Sequence, residues 1–222
     1  MREYEIAFTD SPPQLDEGLS HPAWQAAAPL AVDQFNWHED GPTPATTAFL
    51  LYDEEALYAG FEVEDWDISA TVTELNGPTF EDSSVELFAD PGTETHYFNF
   101  EANCCGYFKL AWQERDWNER GIGRDLIDAE TASGIDVETS EPGPTRSPAP
   151  DDEGWWLTTR IPFAALSTLT GREISPASGT HWRANVYRSG VATDEQKATW
   201  NPMPTPEPDY HSPEYFGRFR FG

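Results

Sequence analysis

The sequence predicts an all-β fold: an antiparallel β-sandwich, jelly-roll-like, with one short N-terminal helix and long loops. Aromatic residues make up 14% of the 222 residues, and aromatic side chains favour strands. The 19 Pro and 16 Gly residues divide the chain into short segments, as is usual in sandwiches and barrels. Several of these segments alternate between apolar and polar residues, with the period of two that indicates a half-buried strand.

Seven segments carry the strand pattern. In chain order they are TTAFLLYD (46–53), ALYAGFEVED (56–65), SSVELFAD (83–90), HYFNFEANCC (96–105), GWWLTTRIP (154–162), WRANVYRSG (182–190) and YFGRFRFG (215–222). The predicted helix is HPAWQAA, with Ser20 as N-cap and Pro22 in its first position, and PFAAL after the fifth strand suits a single helical turn. Strand patterns continue on both sides of the Pro-rich stretch 140–154, so we expect residues 1–222 to form one domain.

Alternation also assigns side chains to the two faces of each strand. Glu86 lies on the face opposite its apolar neighbours, and so does Glu101. Arg188 shares a face with Val186. Several strands therefore carry a face of acids, amides, Arg and aromatic rings, which could bind a polar ligand through hydrogen bonds and stacking.

The charge of the chain argues against two classes of partner. Forty Asp and Glu residues against 13 Lys and Arg residues leave a formal net charge of −27. Because such a surface repels polyphosphate, we expect neither nucleic acid nor an anionic membrane as a partner. An acidic surface with few Lys is typical of proteins from salt-loving cells, where about 1 M salt shortens the Debye length to about 3 Å. We expect a halophilic origin.

The sequence gives partial information on the cellular location of the protein and on the redox state of its two cysteines. The chain has no apolar run of about 18 residues that could span a bilayer, and its first residues have no apolar h-region of a signal peptide. We therefore expect a cytoplasmic protein or a mature secreted one. Cys104 and Cys105 are adjacent and cannot close an ordinary disulfide loop, so two reduced thiols are expected.

The usual catalytic motifs are missing from the sequence. It has no Gly-rich phosphate loop, no H-E-x-x-H and no G-x-S-x-G. Glu86 and Glu101 are the carboxylates that a glycoside hydrolase could use as a pair, but forty acids can produce such a pair by chance. The acidic run EVEDWD (62–67) could supply oxygen ligands to calcium, although it lacks the spacing of a calcium loop.

Eight sequence blocks follow one another from residue 15 to the C-terminus. They are LDEGLSHPAWQAA, LLYDEEALYAGFEVEDWDISA, FEDSSVELFADP, YFNFEANCCG, DDEGWWLTTRIPFAAL, WRANVYRSG, TWNPMP and HSPEYFGRFRFG. The patterns ED-x-x-VE-x-F and H-x-P-x-x-FG-x-x-x-F are the most distinctive. In content and order, the series resembles the family 9 carbohydrate-binding modules and their relatives.

The resemblance implies a non-catalytic module that serves polysaccharide catabolism and holds a plant-type polysaccharide or an oligosaccharide end between two aromatic rings. Any calcium in the family is structural. Carried onto this chain, the rings are Phe80 and Trp200, the strand carboxylate is Glu86, and Asn103 and Arg188 occupy the other matching polar blocks. A ring can stack on the C–H face of a sugar, while a carboxylate accepts charge-assisted hydrogen bonds from its hydroxyls. Phe80 departs from the family pattern, which has Trp at this position.

Two other classes of function stay open at this stage. Related sandwiches include haem-binding electron-transfer domains, and Met203 with His211 would be the axial pair here. The chain could also be an interaction domain with no small ligand. The sequence indicates no definite cofactor, and structural calcium stays open as an alternative. It does not indicate the oligomeric state.

Overall fold

Thirteen strands dominate residues 1–190 and 196–222, the parts of the chain that the computed structural model describes. They are β1 (Glu3–Phe8), β2 (Leu30–Ala31), β3 (Thr46–Tyr52), β4 (Ala56–Glu64), β5 (Ser84–Asp90), β6 (His96–Asn103), β7 (Phe108–Glu114), β8 (Asp125–Leu126), β9 (Asp136–Thr139), β10 (Gly154–Pro162), β11 (His181–Ser189), β12 (Ala198–Thr199) and β13 (Gly217–Phe221). All seven predicted strands are present. β1 and β7 are long strands that the sequence prediction omitted.

The strands join in the order β8-β7-β6-β5-β11-β13-β1-β3-β4-β10-β9, with β12 on β11 and β2 on β3. We call β5 to β8 and β11 to β13 the front sheet, and β2 to β4 with β9 and β10 the back sheet. β1 links the two, because residues 3–6 pair with β13 and residues 7–8 with β3. These two pairings are parallel, whereas the other ladders are antiparallel. The predicted antiparallel sandwich is confirmed.

The main core lies between the inner faces of the two sheets. Phe61 of the back sheet and Leu87, Phe100 and Val186 of the front sheet have no exposed surface and belong to one apolar cluster. The outer face of the front sheet is also covered. There Phe88 forms a second, aromatic cluster with other rings, including rings from loops. A cavity on this face therefore has loop residues at its sides and strand residues at its base.

Helices are few and short. The α-helices are α1 (Trp117–Arg120), α2 (Ala129–Ala132) and α3 (Phe163–Thr170), and the 3-10 helices are Leu15–Ser20, Pro22–Ala26, Thr79–Glu81 and Pro213–Tyr215. The predicted N-terminal helix is a single 3-10 segment. Its cap is His21, whose Nδ1 accepts from the Ala23 N–H at 3.2 Å, and not Ser20, whose hydroxyl donates to a backbone carbonyl of the preceding helix. In the described part of the chain, no helix has the length and apolarity needed to cross a membrane.

Candidate functional site

A cavity of about 230 Å³ opens on the outer face of the front sheet. Its lining residues are Phe80, Glu86, Glu101, Ser189, Lys197, Pro208, Asp209, Tyr210 and His211. Strands β5 and β6 supply the two glutamates, the 3-10 helix Thr79–Glu81 supplies one ring, and the segment 208–211 supplies the other side. Drug-sized ligands usually occupy about 300–1,000 Å³. This cavity is smaller, so it suits a compact ligand about the size of one ring.

Two buried glutamates form part of the cavity lining. Glu86 and Glu101 are paired residues on the antiparallel strands β5 and β6, and each is only 2% exposed. The Ser189 hydroxyl donates to Glu86 Oε1 at 2.9 Å. Burial, followed by repulsion from Glu101, raises the pKa of Glu86 well above its usual value. The pKa of Glu101 is also raised by burial, but Lys109 opposes the shift.

The lysines of the chain gather at this site. The sequence contains only Lys109 and Lys197. Lys109 Nζ lies 3.3 Å from Glu101 Oε2 and 5.5 Å from the centroid of the Phe80 ring. Lys197 lines the cavity directly and lowers the pKa of Glu86 by its charge. Both ammonium groups therefore offset the charge of the buried glutamates in a protein that is otherwise strongly acidic.

Aromatic side chains stand at both sides of the cavity. Phe80 is 48% exposed, an unusual exposure for a Phe side chain. On the other side, the Tyr210 ring stacks on Tyr187 with centroids 4.2 Å apart and planes 14° apart. The Tyr210 hydroxyl donates to the Arg188 carbonyl at 2.5 Å, which fixes the ring to β11. The site thus has one exposed ring and one anchored ring.

His211 is held in a cage of rings beside this cavity. It packs against Phe88 at 5.1 Å and against the edge of Trp117 at 5.2 Å between centroids. Its Nδ1 lies 2.8 Å from the Tyr97 hydroxyl. Burial, helped by the charges of Arg124 and Lys109, lowers the pKa of His211 to about 3, so the imidazole is neutral near pH 7.

The structure brings together two of the residues selected from the sequence, Phe80 and Glu86, which line the same cavity. It places Trp200 elsewhere. Trp200 is 4% exposed, belongs to the main core and packs on Phe219 with centroids 5.3 Å apart. The backbone N–H of Trp200 donates to the Val186 carbonyl at 2.8 Å. Trp200 does not line the cavity, so the structure shows no Phe80–Trp200 clamp around it.

Asn103 and Arg188 have structural partners outside the cavity. Asn103 Oδ1 accepts from the backbone N–H groups of Cys105 and Tyr107 at 3.2 and 3.0 Å, and its amide donates to Asp82 at 2.9 Å. It thereby fixes the turn after β6. Arg188 is fully buried on the inner side of β11, with its guanidinium 3.7 Å from Asp65. Both side chains are thus occupied in holding the fold.

Acidic side chains of the run 62–67, considered above as possible calcium ligands, have other partners in the structure. Asp65 is 3% exposed and accepts from the Trp155 indole at 3.2 Å, besides pairing with Arg188. Glu64 accepts from the Ala45 N–H at 2.8 Å. Within residues 1–190 and 196–222, no three His, Cys, Asp or Glu side chains are grouped to hold a metal ion. Met203, considered as a haem ligand, is fully buried in the aromatic cluster with Phe88.

The sequence interpretation missed Tyr210, Asp209 and Lys197 and considered His211 only as a haem ligand. His211 begins the distinctive C-terminal block, and this was the one available signal. Tyr210 and Asp209 line the cavity because the loop 208–211 contacts β5 and β6. These strands precede the loop by about a hundred residues. Neither alternation nor local motif predicts such a contact.

Comparison with known proteins identifies the family of this chain. The sequence pattern described as carbohydrate-binding family 9 matches residues 21–221. A candidate carbohydrate-binding protein from Bacteroides uniformis has a similar structure, with TM-score 0.83, 22% identity, and coverage of 100% of this chain and 99% of that chain.

Two structures of a family 9 module from Caldicellulosiruptor kristjanssonii are also similar, both at 14% identity. The complex with glucose has TM-score 0.65 and coverage of 100% of this chain and 96% of that chain. The complex with cellotriose has TM-score 0.62 and coverage of 99% and 93%. No match was found among curated protein sequences. Because the family pattern spans nearly all of the sequence, this chain belongs to carbohydrate-binding family 9.

Proposed function

We propose that this chain binds the end of a plant-type polysaccharide or oligosaccharide, without cleaving it, in the cavity between Phe80 and the segment 208–211. The observation that carries the proposal is one exposed ring beside two buried carboxyl groups in a cavity of about 230 Å³. Family membership supports carbohydrate as the ligand class. The similar modules solved with glucose and with cellotriose favour glucose units as the first ligands to test.

The roles of the side chains follow from sugar chemistry. A sugar ring has an apolar face of C–H groups, on which Phe80 can stack. Its hydroxyls are both donors and acceptors, so they can pair with the Glu86 carboxyl group and with the Lys197 ammonium group. Glu101 is already bonded to Lys109 and to the Asn99 amide. It therefore holds the floor of the site in place more than it contacts ligand.

We expect binding without hydrolysis. A glycosidase needs one carboxyl group as acid and a second as nucleophile or base. Glu86 and Glu101 are cross-strand neighbours, but Glu101 is bonded to Lys109 and to the Asn99 amide within the protein. The family whose pattern matches the chain is a carbohydrate-binding family. The purified protein should therefore release no reducing sugar from xylan, cellulose or starch.

The test is calorimetric titration of the parent with glucose, cellobiose, cellotriose and xylose, followed by Phe80→Ala. Removing the ring should weaken binding by about tenfold, equivalent to about 1.4 kcal/mol. Phe8→Ala is the matched control, because Phe8 is 43% exposed and lines a different cavity. Its affinity should equal that of the parent. If the parent binds none of these sugars, or if Phe80→Ala binds like the parent, the proposed site is wrong.

A further inference from the structure

Most basic side chains of this acidic protein have a partner that accepts their hydrogen bonds or compensates their charge. The sequence holds 40 acidic residues against 13 basic ones, so carboxylates are abundant. Ten of the basic side chains form an ion pair or donate to a backbone carbonyl. For the other three, residues 1–190 and 196–222 supply no such partner, and these three are Arg124, Arg172 and Lys197.

Two of these three cations lie at the candidate site. Lys197 is half-buried and lines the cavity. The Arg124 guanidinium stacks over the Trp117 ring, with its Cζ 4.5 Å from the ring centroid. The charge of Arg124 lowers the pKa of Glu101 and of His211, two residues of the cavity lining, so Arg124 acts on the site from nearby. By contrast, Arg172 is exposed in the turn after α3 and does not line the cavity.

Two of the three carboxyl groups in the cavity lining, those of Glu101 and Asp209, are compensated without Lys197. Lys109 Nζ lies 3.3 Å from Glu101 Oε2. Asp209 is exposed to water, and its Oδ1 accepts from the backbone N–H of His211 at 2.9 Å. Within the described part of the chain, neither carboxyl group forms an ion pair with Lys197.

The third carboxyl group, that of Glu86, interacts with Lys197 without forming an ion pair among the described residues. Lys197 lowers the pKa of Glu86, but burial has the larger effect and leaves this pKa well above its usual value. The Ser189 hydroxyl donates to Glu86 Oε1 at 2.9 Å. Because burial favours the neutral form of Glu86, the Lys197 ammonium group is left with a positive charge that no carboxylate of the lining fully compensates.

A carboxylate on the ligand would compensate this charge. An ammonium group has three N–H donors, and its hydrogen bonds to a carboxylate are charge-assisted. A uronic acid carries a carboxylate in place of the primary alcohol of a hexose, so it has nearly the size of glucose and suits the same cavity of about 230 Å³. Uronic acids are also the acidic units of plant polysaccharides, the ligand class proposed above.

We propose that Lys197 makes this site selective for a uronic acid unit, through an ion pair between its ammonium group and the carboxylate of the sugar. Phe80 stacks on the ring of the same unit, and the charge of Arg124 adds to the attraction from outside the cavity. This inference rests on the proposed function. It narrows the ligand from plant-type glycans in general to acidic ones.

The experiment is calorimetric titration with glucose, glucuronate and glucuronamide near pH 7 in about 0.1 M salt. Glucuronamide is the neutral counterpart of glucuronate, with the same ring and nearly the same shape. The parent should bind glucuronate about tenfold more tightly than glucuronamide, because a hydrogen bond between charged groups is stronger than one to a neutral amide. In Lys197→Met this preference should reverse, since the net charge of −27 repels the anion and not the amide.

Three variants serve as controls. Lys197→Arg retains a positive charge and should retain the preference for glucuronate. Arg172→Met removes a cation that also lacks a partner among the described residues but lies outside the cavity lining, and it should keep the affinity ratio of the parent. Arg124→Met should lower the ratio by less than Lys197→Met does. The ratio of the two affinities is a suitable readout because a general loss of binding affects both ligands alike.

The outcomes separate the two proposals. If the parent binds glucose but binds glucuronamide at least as tightly as glucuronate, the role of Lys197 is wrong and the carbohydrate site stands. The same conclusion follows if Lys197→Met keeps the ratio of the parent, or if Arg172→Met changes it as much. If the parent binds none of these three sugars and none of the neutral oligosaccharides, the proposed function is wrong, and the inference built on it is wrong as well.

Discussion

Glu86 and Glu101 lie directly opposite each other on neighbouring antiparallel strands, and each is 2% exposed. Like charges in this position repel, and burial removes the water that would stabilise either one. Lys109, at 3.3 Å from Glu101, and Lys197 offset this effect only in part, because the pKa of Glu86 and that of Glu101 both stay raised. Two buried, repelling carboxyl groups lower the stability of the fold. Such a loss of stability is consistent with a binding role, because functional sites often reduce the stability of the protein that carries them.

Glu86→Gln should stabilise the unliganded protein, and more so as the pH rises. The folded-state pKa of Glu86 lies above its usual value, so between the two values the folded state binds more protons than the unfolded state. The free energy of unfolding of the parent therefore falls as pH rises through this window. Gln has no proton to lose and removes that contribution. Melting curves from pH 4 to pH 9 will measure the difference between the two proteins.

The matched control for this prediction is Glu138→Gln, on an exposed position of strand β9. Its melting temperature should follow the parent at every pH. If Glu86→Gln is less stable than the parent at high pH, then Glu86 contributes a favourable charge to the fold and the burial argument fails.

Arg188→Met should destabilise the protein by about 3–5 kcal/mol, since removal of one partner leaves the other charge buried. The guanidinium lies 3.7 Å from Asp65 in the interior, and both side chains are almost completely buried. The double variant Arg188→Met with Asp65→Asn should lose less than the sum of the two single variants. Urea unfolding will measure all three.

Arg220→Met is the surface control for Arg188. Arg220 pairs with Glu5 at 2.8 Å, but both side chains are more than half exposed. An exposed pair contributes about 0–1 kcal/mol, so this variant should unfold close to the parent. If Arg188→Met matches Arg220→Met in stability and also loses sugar binding, Arg188 belongs to a ligand site after all.

The inward position of Arg188 was predictable from alternation along β11. Arg188 follows Val186 by two residues, and Val186 is a core residue. The period of two placed both residues on one face, whereas the resemblance to the family implied that Arg188 contacts the ligand. Here strand geometry was the better predictor, because a side chain cannot change faces without a bulge in the strand.

The sandwich could be predicted because it depends on local signals, chiefly the alternation and the Gly and Pro punctuation. The position of Trp200 could not. The short ladder between β12 and β11 orients this ring, and such a two-residue strand has no pattern of its own. The positions of Tyr210 and His211 in the cavity lining were not predicted for a similar reason, because their loop contacts strands that lie far away in the sequence.

Trp200→Ala should destabilise the fold by about 3–5 kcal/mol, the usual loss when a large buried ring is removed from a core. The ring packs on Phe219 and is 4% exposed. Phe80→Ala, by contrast, removes a ring that is 48% exposed and should change stability by less than about 0.5 kcal/mol. Urea unfolding gives both values. Trp200→Ala with parent-like stability and lost sugar binding would restore the two-ring clamp predicted from the sequence.

The melting temperature should rise markedly between about 0.1 M and about 2 M potassium chloride. A formal net charge of −27 makes the charges of the compact state repel one another. The Debye length is about 10 Å at about 0.1 M salt and about 3 Å at about 1 M, so added salt screens this repulsion much more strongly. Replacing three exposed acids by amides, with Glu54→Gln, Glu130→Gln and Asp151→Asn, should flatten the dependence by reducing the charge to be screened. A triple variant with three exposed Ser or Thr residues changed to Ala is the neutral control and should keep the parent slope. A melting temperature that stays constant or falls with added salt would contradict a halophilic origin. It would show that repulsion among the acidic side chains does not lower the stability of the parent in dilute salt.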